Sequence, residues 1–377
     1  MTPLSTQDLP PTPGGWREGD PVGRRQFVDL GELSLESGST LPAVRLAYET
    51  WGRYDGGNAV LVLHALTGDS HVHGPAMAGH PTAGWWDDLV GPGRAIDTER
   101  FFVVAANVLG GCQGSTGPSS LHPDGGHWGS RFPELTVRDQ VAAEVALADR
   151  LQIPTWHTVL GGSAGGMRAL EWAIMRPERV QRLLLLATSA QAEAGQIALS
   201  SIQQTAITAD PYFAGGDYYH QQRGPAAGLA LARRLAHLSY RNDLDLQRRF
   251  GRSSQPGAVD GEQVFSIAAY LEHHGVKLTR RFDAGAYLKL TRAMDSHDVS
   301  RGRDGADRAL AAITAHTVVA GIDSDTLYPP AQQEELVELI PTAAPMITLR
   351  SRFGHDGFLL EIEQVGRIVR ELLDTDV

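Results

Sequence analysis

The chain has one cysteine, Cys112, among 377 residues, which excludes an internal disulfide and any cysteine-built metal cluster. It has no apolar run of membrane-spanning length; residues 101–106, all apolar, are only strand-sized. It is short of cations. Lys and Arg number 33 against 44 Asp and Glu, a formal charge of −11, so the basic surface that neutralises nucleic-acid phosphates is missing. Residues 1–20, rich in Pro, Gly and Thr, lack the positive start and apolar stretch of a signal peptide and read as a flexible arm. Internal repeats and coiled-coil heptads are also absent. These absences leave a soluble cytoplasmic protein with no nucleic-acid or membrane partner as the expectation.

What is present is length enough for a large core with an insertion. Residues 45–51 partly alternate, as in a half-buried strand, while 59–63 and 101–106 are continuous apolar runs, as in buried parallel strands. A helical stripe over 136–151 follows, then a strand to Leu160, a helix over 167–175 and a strand over 180–188. This alternation predicts a mostly parallel, doubly wound α/β sheet. From 190 to 306 the strand signals vanish, and helices are predicted over 197–209, 226–240 and 264–275, with a loop over 252–261. The pattern then resumes with a strand at 317–321, a helix over 331–339, a strand at 346–349 and a last helix over 358–373. The predicted organisation is a core in two parts, 1–189 and 307–377, interrupted by a helical insertion over 190–306.

The most informative run is Leu160-Gly161-Gly162-Ser163-Ala164-Gly165-Gly166-Met167. A Gly-x-Ser-x-Gly turn between strand and helix holds its serine on a strained corner, and small neighbours keep that corner from colliding with nearby backbone. The helix then aims free N–H groups at an anion forming beside the serine. A serine hydroxyl needs a base to take its proton and an acid to orient the base, in the chain order Ser, acid, His. The turn at 321–330 offers Asp323 and Asp325, and His355 lies in a turn after the next strand. All sit at carboxyl ends of predicted strands, the edge where open α/β sheets place their sites. Sequence alone does not separate the two acids. For the oxyanion hole, Ala164 follows the nucleophile and Leu66 lies in the loop after strand 59–63, so their backbone N–H groups are the candidate donors.

Other signals carry less chemistry. His64, His71, His73 and His80 lack metal-ligand spacing and read as loop histidines, with no metal assigned. Gly110-Gly111-Cys112-Gln113-Gly114-Ser115-Thr116-Gly117-Pro118 lacks the Gly-Lys-Ser/Thr ending of a phosphate loop and reads as a tight buried loop lining the pocket. Cys112 reads as a small buried residue.

With these residues assembled, the chain resembles the homoserine O-acetyltransferases, a methionine-pathway branch of the α/β-hydrolase superfamily. The resemblance is carried by His64-Ala65-Leu66-Thr67-Gly68-Asp69-Ser70-His71, by residues 107–118, by Gly161 to Met167 with Leu170-Glu171-Trp172, by Leu290-Thr291-Arg292-Ala293-Met294-Asp295, and by the turns at 321–330 and 354–359. It implies an α/β-hydrolase fold with a helical lid that keeps water from an acyl-enzyme. It also implies ping-pong transfer of acetyl from acetyl-CoA, a co-substrate rather than a cofactor, through Ser163 to the hydroxyl of L-homoserine. His355 would be the base and Asp325 its orienting acid. The family's amino-acid anchors fall on Arg233 and Asp356, a guanidinium for the α-carboxylate and a carboxylate for the α-ammonium. Tyr240 matches a tyrosine near the substrate, and a homodimer through the helical insertion is implied. Two positions depart from the pattern: Ala164 stands where Met is common and Ser115 where Thr is. Succinyl as donor group, serine as acceptor, and a serine esterase remain the alternatives.

Overall fold

The protein is described by a computed structural model covering residues 14–256 and 263–375. Its centre is an eight-stranded sheet: β1 (Gln26–Ser34), β2 (Thr40–Trp51), β3 (Ala59–Leu63), β4 (Phe102–Ala106), β5 (Trp156–Gly162), β6 (Val180–Leu186), β7 (His316–Ile322) and β8 (Ile347–Leu349). The spatial order is β1-β2-β4-β3-β5-β6-β7-β8. The strands from β3 to β8 are parallel to one another, and β2 pairs antiparallel with both β1 and β4.

The buried strands use both faces of their pleat. Leu61 and Leu63 of β3, with Leu183 and Leu185 of β6, enter one core; Val60 and Val62, with Leu184 and Leu186, enter the other. The first core is covered by α1 (Val137–Arg150), α2 (Ala164–Met175), α8 (Ala306–Ala311) and α9 (Pro330–Leu339). The second is covered by α11 (Ile362–Leu373) and by residues 72–96, where Trp86 and Leu89 are fully buried. Period-two alternation with both faces apolar is why these strands read as continuous runs.

Between β6 and β7 the chain leaves the sheet through α3 (Ala194–Thr208), α4 (Ala226–Tyr240), α5 (Asp243–Phe250), α6 (Ser266–Thr279) and α7 (Ala284–Asp295). The start and end of this excursion are pinched together. Ala192 N–H donates to the His297 carbonyl at 2.9 Å and Val299 N–H to the Ala190 carbonyl at 3.0 Å. Within it α3 packs on α4 and α7, and α4 on α6.

Several expectations need correction. The arm expected over 1–20 lies outside the described residues up to 13, but residues 14–20 are held: Trp16 N–H donates to the Cys112 carbonyl at 2.9 Å and its ring meets Phe27 at 5.1 Å. The predicted last helix is two, α10 (Gly357–Leu360) and α11, because Glu361 leaves helical geometry at ψ 56°. The helix predicted from 264 starts at Ser266, after Gln263–Phe265 pairs with Ser254–Pro256 beside the partly undescribed loop. The glycine-rich loop over 110–118 is buried and supports β2, and none of its residues lines the cavity that holds Ser163. Ser115 Oγ accepts from Ala47 N–H at 3.0 Å and Thr116 Oγ1 from Arg45 N–H at 2.8 Å. Among the described residues no helix is long and apolar enough to cross a membrane.

Candidate active site

Ser163 stands between β5 and α2 with φ +55° and ψ −125°, a conformation that costs a non-glycine residue roughly 1–3 kcal/mol. Its neighbours show what holds it there. A Cβ on Gly165 would drive into the Leu63 carbonyl, and one on Gly161 into the Gly165 carbonyl. A Cβ on Gly162 would meet the Phe358 ring at 2.6 Å, and one on Gly166 would meet Thr188 at the same distance. Ser163 N–H donates to the Leu186 carbonyl at 2.9 Å, and the Ser163 carbonyl accepts from Thr188 Oγ1 at 3.0 Å. The strained corner is therefore over-determined by β3, β6 and Phe358.

His355 follows Gly354, whose φ of +62° turns the chain, and lies buried at 4% exposure. Its Nδ1–H donates to Asp325 Oδ2 at 2.6 Å. The other oxygen, Oδ1, accepts from the backbone N–H groups of Leu327 at 2.8 Å and Tyr328 at 2.9 Å. That fixes the carboxylate, the imidazole orientation and the tautomer, leaving Nε2 as the basic nitrogen. The Tyr328 ring stacks on His355 at 5.0 Å, and Phe358 meets it edge-on at 5.5 Å. Asp323 points elsewhere: it is exposed, and its Oδ1 accepts from Ser351 N–H at 3.0 Å. The structure thus separates the two acids.

The candidate oxyanion donors come from the start of α2 and from the loop after β3. Ala164 is the first residue of α2, so its N–H has no acceptor within the helix. Leu66 lines a small cavity of about 50 Å³ with Ser163, Tyr240 and Tyr328. Beneath the loop His64 is buried; its Nδ1–H donates to the Ala65 carbonyl at 2.7 Å and its Nε2 accepts from Val108 N–H at 3.1 Å. Burial, aided by the Arg168 charge, pushes its pKa down to about 3, so the ring is neutral. Arg168 holds the His64 carbonyl and pairs with buried Glu144, which also accepts from Trp172 Nε1 at 2.8 Å.

The expected substrate anchors lie on the neighbouring wall. Arg233 of α4 reaches Thr67 Oγ1 at 3.3 Å and stacks over the Tyr240 ring at 5.4 Å. Arg233 and Asp356 line a second cavity, together with Asp69, Lys277 and Arg281. Burial raises the Asp356 pKa against the opposing pull of His355, Arg233 and Arg241, the last of which reaches its Oδ2 at 3.4 Å. A guanidinium and a carboxyl group thus face one cavity, while Tyr240 borders the one holding Ser163.

Sequence reasoning missed one buried polar cluster. Glu49, inside β2, accepts from Ser70 Oγ at 2.8 Å and from His71 Nδ1 at 3.0 Å, and His80 stacks on His71 at 3.9 Å. Glu49, His71 and His80 lie close enough to hold a cation, but their donor atoms are already committed. Both His71 nitrogens face acceptors, Glu49 and the Pro75 carbonyl, and His80 Nε2 accepts from Arg24 N–H at 3.1 Å. Burial opposes charge on His71, yet Glu49 outweighs it and holds the ring above its ordinary pKa. The arrangement is an ion pair inside a hydrogen-bond network. No local pattern marks it, because Glu49 shares its strand with Arg45, Tyr48 and Thr50.

Comparison with known proteins follows the same lines. Residues 58–360 match the family described as the alpha/beta hydrolase fold. Homoserine O-acetyltransferase of Thermobifida fusca (strain YX) is 57% identical, with 98% of this chain and 100% of that protein covered. Among solved structures, homoserine O-acetyltransferase from Bacillus anthracis superposes with a TM-score of 0.86 at 27% identity, covering 94% of this chain and 98% of the other. Esterase E22 superposes with a TM-score of 0.84 at 27% identity, covering 93% and 99%.

Proposed function

The chain belongs to the homoserine O-acetyltransferases of the alpha/beta hydrolase family, and we propose that Ser163 carries acetyl from acetyl-CoA to the side-chain hydroxyl of L-homoserine. Ser163 Oγ attacks the thioester carbonyl as His355 Nε2 takes its proton. The oxyanion is held by the Leu66 and Ala164 N–H groups, and the CoA thiolate leaves with the proton from His355. The homoserine hydroxyl then attacks the acyl-serine, giving its proton to His355. Collapse returns that proton to Ser163 and releases O-acetyl-L-homoserine.

The observation that carries this reading is the placement of Arg233 and Asp356 in one cavity, next to the base. Their charges match the carboxylate and ammonium of an amino acid, with Tyr240 between that cavity and Ser163. The helices from α3 to α7 act as the lid that keeps water from the acyl-enzyme. The reaction uses acetyl-CoA as co-substrate and takes no cofactor or metal. It belongs in the cytoplasm. The chain works as a homodimer through the inserted helices, a reading supported by exposed Ile202, Leu231 and Leu238; a monomeric mass by light scattering would count against it.

The test is thiol release from acetyl-CoA with and without homoserine. Homoserine-dependent release with O-acetylhomoserine as product is expected, and its absence refutes the proposal. The likeness to esterase E22 favours one competitor, an ester hydrolase, which predicts acyl turnover indifferent to homoserine. Ser163→Ala abolishes acyl-enzyme formation by mass spectrometry; a variant still labelled refutes the nucleophile.

A further inference from the structure

Asp295 is the last residue of α7 and lines the cavity that holds Ser163. Its position is costly in two ways. A carboxylate at a helix C-terminus opposes the helix dipole, and this one is half-buried. Its Oδ2 accepts from Ser200 Oγ at 2.9 Å and Gln204 Nε2 at 2.7 Å, both neutral and both on α3. Among the described residues it forms no ion pair; Arg292, the cation that acts on it from the same helix, is bound to Glu134 at 2.8 Å. The cations of the site, Arg233, Lys277 and Arg281, line the other cavity. Burial raises its pKa, while the two hydrogen bonds and Arg292 favour the charged form.

We infer that Asp295 makes the Ser163 cavity selective for an uncharged acyl group, turning away CoA thioesters whose acyl chain ends in a carboxylate. This rests on the reading of Ser163 as an acyl carrier with the amino acid held by Arg233 and Asp356. With the acceptor on that wall, the small cavity of about 50 Å³ lined by Leu199, Met294 and Leu327, together with Gln196, Gln203 and Asp295, is left for the acyl end of the donor. An acetyl group brings no charge into it. A dicarboxylic acyl group brings its own anion into a small space beside a carboxyl group that no cation pairs with.

The experiment compares acetyl-CoA with succinyl-CoA as donors to homoserine, by kcat/KM, for the unaltered protein, Asp295→Asn and Asp295→Glu. Asp295→Asn is expected to raise the succinyl-to-acetyl ratio about tenfold, the size of a like-charge repulsion across several ångströms of protein. Asp295→Glu, which keeps the charge, is expected to hold the ratio near its original value. An Asn variant that lowers both donors equally, or that raises only the KM for homoserine, overturns the inference. So does an unaltered protein whose Ser163 is labelled as fast by succinyl-CoA as by acetyl-CoA, a result that needs no variant to fold. If acetyl-CoA itself leaves Ser163 unlabelled, the acyl-carrier reading fails first.

Discussion

Asp325→Asn should disable the base while leaving the fold intact, and the hydrogen bonds at Asp325 say why. Oδ1 accepts two backbone N–H groups, from Leu327 and Tyr328. In the variant only the amide oxygen can take that place. The amide NH2 must then face His355 Nδ1, which becomes an acceptor and sends its proton to Nε2. That is the wrong tautomer for removing a proton from Ser163. Loss of this arrangement costs about 10⁴-fold in rate, or ~5.5 kcal/mol of transition-state stabilisation. Because both backbone bonds persist, the stability change should stay within about 1 kcal/mol. Asp325→Ala should cost more stability, about 1–3 kcal/mol for each N–H left unpaired. The assay is single-turnover acylation by acetyl-CoA, read as thiol release, beside thermal unfolding of each variant. An Asn variant that retains a tenth of the acylation rate, or Asp323→Asn losing as much, would refute the reasoning.

Arg168→Met leaves Glu144 buried without its partner and should cost about 3–5 kcal/mol in urea unfolding, while adding Glu144→Leu should recover most of it; additive losses would contradict the pairing. His64 is depressed from 6.5 to about 3 in the fold, so the unfolded chain takes up its proton first. Stability should therefore fall as pH drops from 6.5 toward 3, by up to ~1.4 kcal/mol per unit from this ring, and His64→Asn should flatten that slope; an unchanged slope would argue against a neutral buried ring. Cys112 is buried with its thiol pushed up by desolvation. Iodoacetamide should leave the native protein unlabelled and label it in denaturant; rapid native labelling would place the thiol elsewhere.

The nucleophile was legible because everything that shapes its corner is contiguous: four glycines and a serine between an apolar strand and a helix. The choice between Asp323 and Asp325 was not. Extrapolating strand alternation past Ile322 points both the same way, but the chain turns there, with Asp325 N–H donating to the Ile322 carbonyl at 3.1 Å. Only the turn decides which carboxylate meets His355. β1 escaped notice because it is a half-exposed edge strand whose register shifts around Gly31, so no clean alternation survives. Glu49 is buried only because residues 70–80 fold over β2, a long-range event that local pattern does not encode. Arg233 and Asp356 came from family resemblance, since a helix arginine and a turn aspartate carry no signature of their own.

The path of the chain divides labour. Ser163, Asp325 and His355 stand on loops of the sheet, whereas Arg233, Tyr240 and Asp295 ride on helices strung between β6 and β7. On the proposed reading, a lineage can therefore retune the Arg233 end of the acceptor site and the Ser163 cavity by varying one excursion, while Asp356 stays with the His355 turn. The freedom ends where the two parts touch. A side chain at Gly354 would strike the Tyr240 carbonyl at 2.7 Å and the Asn242 nitrogen at 3.0 Å, so the end of α4 and the His355 turn must evolve as one piece.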